Sequence, residues 1–182
     1  MAIIGVLTAV GKDQPGIVAA VSRILYATGC NIEDSSMTIL RGDFAMLLII
    51  SLPKGLKMED LDKKLNPLRQ SLNLMMVLRK LGPEELSHKP TSGTQMYVIS
   101  VYGIDKPGIV YKVTRLLSKE AINIGDLNTK IVGDKKNPVY VMVLEVEIPP
   151  AGKIDKLQQK LTRLGQELKV EINLKPLDIA EL

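Results

Sequence analysis

The stretch Gly11-Lys12-Asp13-Gln14-Pro15-Gly16-Ile17-Val18 decides the fold, because it returns as Gly103-Ile104-Asp105-Lys106-Pro107-Gly108-Ile109-Val110. In both places an apolar run precedes it and an amphipathic run follows, which predicts a turn from a strand into a helix. Proline loses no hydrogen bond in a first helical turn. We expect Asp13 to accept a hydrogen bond from the first-turn amides, and Gly16 to let another group approach the backbone closely.

The repeat extends outward from this stretch. Residues 2–39 align without a gap on residues 94–131, and fourteen of these 38 positions are identical. After a four-residue insertion, the second helix and the last strand also align. The chain therefore contains two copies of one unit. We place them at residues 1–82 and 94–176, with a linker at 83–93 and a C-terminal tail at 177–182.

The pattern within one unit predicts the order β-α-β-β-α-β. Strands are expected at 2–10, 31–40, 43–52 and 73–80, and helices from Pro15 and over 57–71, where Pro67 should kink or interrupt the helix. Gly29 suits a left-handed helix end, whereas Ala121 in the second copy predicts a different ending. The fold class is therefore α+β, with two ferredoxin-like units that each pack helices on one face of a four-stranded antiparallel sheet.

Composition excludes several kinds of protein. The 182 residues carry a net charge of +4, spread singly along predicted helices, which favours solvated helix faces over a nucleic-acid footprint. One cysteine, Cys30, and one histidine, His88, cannot build a structural zinc site. The apolar runs are too short to cross a bilayer. We expect a cytoplasmic protein that needs no cofactor and does not contact membranes.

Two features of each unit suggest binding of a zwitterion. The start of a helix attracts carboxylates and phosphates, although the spacing alone favours proline and glycine that merely shape a tight turn at this place. Asn31-Ile32 and Asn123-Ile124 open the second strand of each unit. The asparagine amide could accept from an ammonium and donate to a carboxylate.

The repeated stretch, followed by Asn-Ile about fifteen residues later, resembles the ACT domain. That resemblance implies a regulatory module that binds amino acids between units, next to the helix start of one unit and the strand-opening asparagine of another. The implied ligand-binding residues are Asp13, Gly16, Ile17, Asn31, Ile32, Asp105, Gly108, Ile109, Asn123 and Ile124. Glycine or serine is the first ligand to expect, with a homodimer and a protein partner.

Other functions remain as alternatives. A pair of ACT units without ligand could serve as an interaction scaffold. Modules that recognise RNA share this topology but stack bases on several sheet aromatics, and here only Phe44 and Tyr140 occupy the corresponding stretches. Cys30 and His88 could be a nucleophile and a base, but neither recurs in the other copy, so we expect no enzyme activity. Direct nucleic-acid binding is likewise not expected.

Overall fold

The first unit folds as the sequence predicts. The computed structural model describes residues 3–86, 94–134, 138–149 and 154–177, and the chain divides into two compact units at residue 88. The elements of unit 1 are β1 (Ile3–Lys12), α1 (Ile17–Ala27), β2 (Asn31–Leu40), β3 (Asp43–Leu52), α2 (Met58–Ser71), β4 (Met75–Lys80) and the short helix α3 (Pro83–Leu86).

The second unit repeats this order. Its elements are β5 (Gln95–Gly103), α4 (Ile109–Lys119), β6 (Asn123–Val132), β7 (Val139–Ile148), α5 (Ile154–Leu168) and β8 (Val170–Pro176). The sheets have the orders β2-β3-β1-β4 and β6-β7-β5-β8, and their ladders are antiparallel. The prediction of two ferredoxin-like βαββαβ units is confirmed. No helix of the described residues is long and apolar enough to cross a membrane.

Each unit has its own core between the helices and one face of the sheet. Along β3 the buried residues alternate with more exposed ones, as a half-covered strand requires. The helices contribute one apolar stripe each. In unit 1 that stripe consists of Ile17, Val21, Leu25, Leu61, Leu65 and Leu68. The open face of each sheet is the one turned away from these helices; in unit 1 it is bordered by Glu84 and Glu85 of α3. Strands β2 and β6 are edge strands.

The first helix of each unit begins differently from our expectation. Helix α1 starts at Ile17, two residues after Pro15, and its N-cap is Gly16 in the left-handed conformation, with φ of 97°. No side chain caps the helix, so the predicted cap by Asp13 is wrong. Gly108 begins α4 in the same way, with φ of 95°. A glycine therefore takes the N-cap position in both units. Other residues adopt this positive φ only with strain, which explains why glycine occurs there.

The expected difference between the ends of the two first helices is wrong, and Pro67 does not interrupt α2. Gly29 has a positive φ of 72°, as predicted, but Ala121 adopts a φ of 55°, so α4 ends as α1 does. The amides of Cys30 and Ile122 donate to Leu25 and Leu117 at 2.9 and 3.0 Å, which closes both helices alike. Helix α2 also continues through Pro67 without interruption.

The predicted linker begins with structure. Helix α3 occupies its first residues, and Arg79 forms an ion pair with Glu85 at 2.6 Å. The Glu85 carboxylate also accepts from the Gly82 amide at 2.8 Å. The rest of the predicted linker, from residue 87 to 93, lies outside the described residues, as do residues 178–182 of the predicted tail. The domain boundaries therefore stay a prediction.

Candidate functional site

The corner between the first strand and the first helix presents unused backbone donors in both units. The first helical hydrogen bonds run from Ala20 to Gly16 at 2.8 Å and from Lys112 to Gly108 at 2.9 Å. The three amides before each of these donors have no partner within the helix. Apart from the two chain neighbours of each glycine, no heavy atom of the described residues lies within 4 Å of a Cβ placed on Gly16 or Gly108. Each corner is therefore open and favours a negatively charged group.

Two hydrogen bonds fix the corner of unit 1. The Asp13 amide donates to the Gly42 carbonyl at 2.9 Å, which ties the corner to the turn between β2 and β3. The Gln14 side chain donates to the Leu72 carbonyl at 3.1 Å, on the side of α2 and β4. The Asp13 side chain is exposed. The corner therefore lies beside the end of β2 that finishes at Leu40.

The isoleucines predicted as ligand-binding residues at the two helix starts face the core. Ile17 and Ile109 are 2% and 1% exposed. Their side chains cannot touch a ligand, although their backbone amides lie at the open start of each helix. Ile32 is 39% exposed and pairs with Ile50, while Ile124 packs against the core of unit 2. At the corners, the backbone of Ile17 and Ile109 is therefore the available contact, whereas Ile32 and Ile124 lie at the beginning of β2 and β6.

Asn31 lies at the opposite end of its sheet from the corner of the same unit. It pairs with Ser51, which pairs with Ile4 at the beginning of β1, whereas Asp13 follows the end of β1. Nine residue steps along β2 separate these ends, about 30 Å at the rise of a strand. One unit therefore does not bring its own Asp13 and Asn31 together.

A carboxylate that sequence reasoning missed lies beside Asn31. Glu33 occupies a bulge where the register of β2 shifts between Ile32 and Asp34. Its Oε1 accepts hydrogen bonds from Ser51 Oγ at 2.6 Å and from Asn31 Nδ2 at 3.0 Å. These bonds, the one from Ser51 first, lower the pKa of the Glu33 carboxyl below its ordinary value of 4.5. The repeat gave no signal for it, because the equivalent residue of the second copy is Gly125.

The same position in unit 2 is built differently. The bulge follows Ile124 and holds Gly125, which has no side chain to offer. The residue across the ladder from Asn123 is Glu147, in the place that Ser51 takes in unit 1. A carboxylate thus lies next to the strand-opening asparagine in both units, but it comes from a different strand in each.

The aromatic residues of the two hairpins are unavailable for stacking. Phe44 is 2% exposed and Tyr140 is 8% exposed, and both belong to the cores. The Tyr140 hydroxyl is buried without a hydrogen-bond partner among the described residues. Burial, and then the charge of Asp105, raises the pKa of Tyr140 above 10. Base stacking as in RNA-recognition modules is not favoured by this arrangement.

The described residues offer little for other chemistry. Cys30 is a free thiol that packs against the core of unit 1, and the Thr28 hydroxyl donates to its sulfur at 3.4 Å. His88, its suggested partner, lies outside the described residues. Among residues 3–86, 94–134, 138–149 and 154–177, no group of three or more His, Cys, Asp or Glu side chains could hold a metal ion.

Comparison with known proteins agrees with the duplicated architecture. The profile of the ACT domain matches residues 4–79 and again residues 95–175. The chain belongs to the ACT domain family. Two successive ACT domains account for both sheets, and the unit described above is the ACT unit in each half.

Several relatives share one or both ACT units. The chain is 25% identical to the glycine cleavage system transcriptional repressor of Escherichia coli over 169 residues, which span 91% of this chain and 86% of the repressor. A UPF0237 protein of Methanococcus maripaludis is 37% identical over 78 residues, covering 42% of this chain and 82% of that protein.

Solved structures extend the likeness to the whole chain. A protein of unknown function from Galdieria sulphuraria has a TM-score of 0.82 at 27% identity, covering 97% of this chain and 99% of its own. A candidate glycine cleavage system transcriptional repressor has a TM-score of 0.66 at 23% identity, covering 97% and 98%. The latter likeness shows that the tandem arrangement of folds is shared.

Proposed function

We propose that this protein is a non-enzymatic regulator that binds a small amino acid between ACT units and passes the signal to a partner protein. The likeness to a transcriptional repressor supports a regulatory role. The observation that carries the proposal is the corner built twice, with Gly16 and Gly108 open to approach at the start of a helix. Such a start suits the carboxylate of an amino acid.

The proposed site needs a second ACT unit. A corner and its own Asn31 lie at opposite ends of β2, but an antiparallel neighbour along β2 would bring its corner next to Asn31. All ten residues of β2 are exposed, among them Met37 and Ile39, each 51% exposed. An exposed edge strand with apolar side chains is a ready pairing surface. The neighbour is an ACT unit, and we propose a homodimer as its simplest source.

The size of the ligand limits its affinity. Glycine has five heavy atoms, and at a ceiling of about −1.5 kcal/mol per atom its binding free energy is about −7.5 kcal/mol at best. This corresponds to a dissociation constant of a few micromolar, roughly. A regulator of this kind responds to micromolar or millimolar amino acid and not to traces.

The test is a thermal-shift and calorimetry panel of the twenty amino acids on the full chain, in which glycine and serine are expected to respond. Asn31→Ala should abolish or strongly weaken the response while the fold is kept. Asn173→Ala is the matched control. Asn173 also donates to a glutamate two positions away, Glu171 at 2.8 Å, but it lies on β8, an edge strand of unit 2. It should bind as the wild type does.

The outcomes separate the sensor from the scaffold. No response to any amino acid at about 10 mM, far weaker than the ceiling allows, would overturn sensing. A response that Asn31→Ala leaves unchanged would move the site away from β2. Light scattering with and without ligand tests the pairing, because a ligand that bridges two units must favour the paired arrangement. A monomer under both conditions would rule out a homodimer.

A further inference from the structure

Glu33 changes what the end of β2 can bind. Both of its hydrogen bonds, from Ser51 and from Asn31, reach the same oxygen, Oε1. Its second oxygen, Oε2, accepts no hydrogen bond from the part of the chain that the structure describes. Since the pKa of Glu33 is lowered, the carboxylate stays ionised near neutral pH. A negatively charged oxygen is therefore left open beside the asparagine.

Asn31 itself is left with an acceptor. Its amide nitrogen already donates to Glu33 at 3.0 Å, while its Oδ1 has no donor among the described residues. The sequence suggested that this amide would hold both ends of an amino acid, with its nitrogen on the carboxylate. The structure engages one of the two amide hydrogens with Glu33, so what the cluster adds for a ligand is Asn31 Oδ1 and the Glu33 carboxylate, which are both acceptors. Acceptors and a negative charge favour a cation.

Unit 2 keeps this property with different residues. Gly125 replaces Glu33 in the bulge, and Glu147 replaces Ser51 on the neighbouring strand. The carboxylate has changed strand, yet it still lies next to the strand-opening Asn123. Because two different strands supply the carboxylate, the shape of the bulge does not explain it. We infer that a negative charge is needed beside the asparagine.

We propose that Glu33, together with Asn31 Oδ1, receives the ammonium group of the ligand. This inference rests on the proposed function and assigns the orientation of the bound ligand. The ammonium lies on the end of β2, and the carboxylate faces the amides at the helix start of the neighbouring unit. The ligand class is an amino acid with a free ammonium group, and carboxylic acids that lack the ammonium are rejected.

The experiment starts from the amino acid that gives the largest response in the panel above. Its dissociation constant is measured calorimetrically for the wild type, Glu33→Gln and Glu33→Asp. A hydrogen bond to a charged group predicts about tenfold weaker binding for Glu33→Gln. Glu33→Asp keeps the charge and should retain more affinity. Because Glu33 is exposed, both variants should fold, which far-UV circular dichroism checks.

Glu171→Gln is the matched control. Glu171 also accepts a hydrogen bond from an asparagine two positions away on an edge strand, so this variant makes the same chemical change away from the site. It should leave the dissociation constant unchanged. The deaminated acid of the same carbon skeleton, such as acetate for glycine, should bind at least tenfold more weakly than the amino acid, as roughly expected for one lost charge-assisted bond.

The results distinguish this inference from the proposed function. If an amino acid binds but Glu33→Gln binds it as tightly as the wild type, Glu33 is not the ammonium receptor, while sensing survives. The inference fails in the same way if the deaminated acid binds the wild type as well as the amino acid does. If no amino acid in the panel binds, both the proposed function and this inference are overturned.

Discussion

The two units pack their second helix against the last strand in different ways. In unit 2, Gly165 lets α5 approach β8 so closely that an added Cβ would lie 2.7 Å from the Val170 carbonyl oxygen. In unit 1 the same place is Arg69, whose Nε donates to the Met76 carbonyl at 3.2 Å and whose guanidinium pairs with Asp62. The same topology is thus held by a close backbone contact in one half and by a hydrogen-bonded cation in the other.

The open sheet faces differ as well. At equivalent places, unit 1 has Ile49, Met75 and Val77, whereas unit 2 has Glu145, Glu171 and Asn173. Met75 and Val77 are 75% and 54% exposed. Unit 2 shows that the fold does not require apolar side chains at these three positions.

The corners between the first strand and the first helix, in contrast, are alike in the two units. Gly16 and Gly108 have nearly the same φ, begin helices of eleven residues and leave the same space open. Helix packing and the sheet face thus differ between the two units, whereas the glycine corner at the start of the first helix is the same in both.

The largest effect is expected from Gly165→Ala. Overpacking costs about 1–3 kcal/mol, and the obstacle here is backbone, which cannot rotate away. The upper end of this range, about 3 kcal/mol, less the gain in helix propensity of about 1 kcal/mol, gives an expected net loss of about 2 kcal/mol in the free energy of unfolding, measured by urea titration of the full chain.

Arg69→Ala is the counterpart in unit 1. It removes a partly exposed ion pair with Asp62 and hydrogen bonds to the Met76 and Asp62 carbonyls and to the Asn66 side chain. Because water replaces partners at this partly exposed place, we expect a smaller loss of about 1 kcal/mol. Equal losses in the two variants would contradict the claim that the halves are held differently.

The next effect concerns the hairpins, where Phe44 and Tyr140 are equivalent. Tyr140→Phe removes a buried hydroxyl that has no partner among the described residues, and we expect a gain of about 1 kcal/mol. Phe44→Tyr adds such a hydroxyl to a residue that is 2% exposed, and we expect a loss of about 1 kcal/mol or more. Urea unfolding measures both. Destabilisation by Tyr140→Phe would mean that the hydroxyl has a partner.

The smallest effect is the acid sensitivity of the contact between β4 and α3. The hydrogen bond from the Gly82 amide, and then the one from Arg79, lower the pKa of Glu85 below 4.5 in the folded protein. The unfolded chain therefore binds the proton first. This stabilisation is complete above the ordinary pKa and is lost as the pH falls through the folded pKa.

We expect Glu85→Gln to lose less stability than the wild type between about pH 5 and pH 3. Urea titrations at several pH values measure the difference. Parallel pH profiles for the two proteins would show that the carboxylate adds nothing to folding.

Repeats and hydrophobic periods were enough to predict the fold. The alignment of the two halves placed the helices and hairpins of both, because burial on one sheet face dictates the pattern. The failures concern single residues whose neighbours decide their conformation. Ala121 takes a left-handed φ because the chain must turn there, and α2 continues through Pro67. Local propensity cannot forecast such compromises.

The candidate site was predicted only in part. The glycine corners and Asn31 could be found from the recurring stretch and its spacing. Glu33 could not, because its carboxylate is drawn to Asn31 by a bulge and by Ser51, eighteen residues away. The sequence also could not reveal that a corner and its own asparagine occupy opposite ends of a sheet, since that depends on register.

The length of β2 has a consequence for stoichiometry. In the proposed pairing, each ACT unit contributes a corner at one end of β2 and an asparagine at the other end, so an antiparallel pair of units would close two equivalent sites at once. Filling the first site would hold the second in register at no further entropic cost. Saturation should then require one ligand per unit and follow a sigmoidal curve, so the protein would act as a threshold detector of its metabolite.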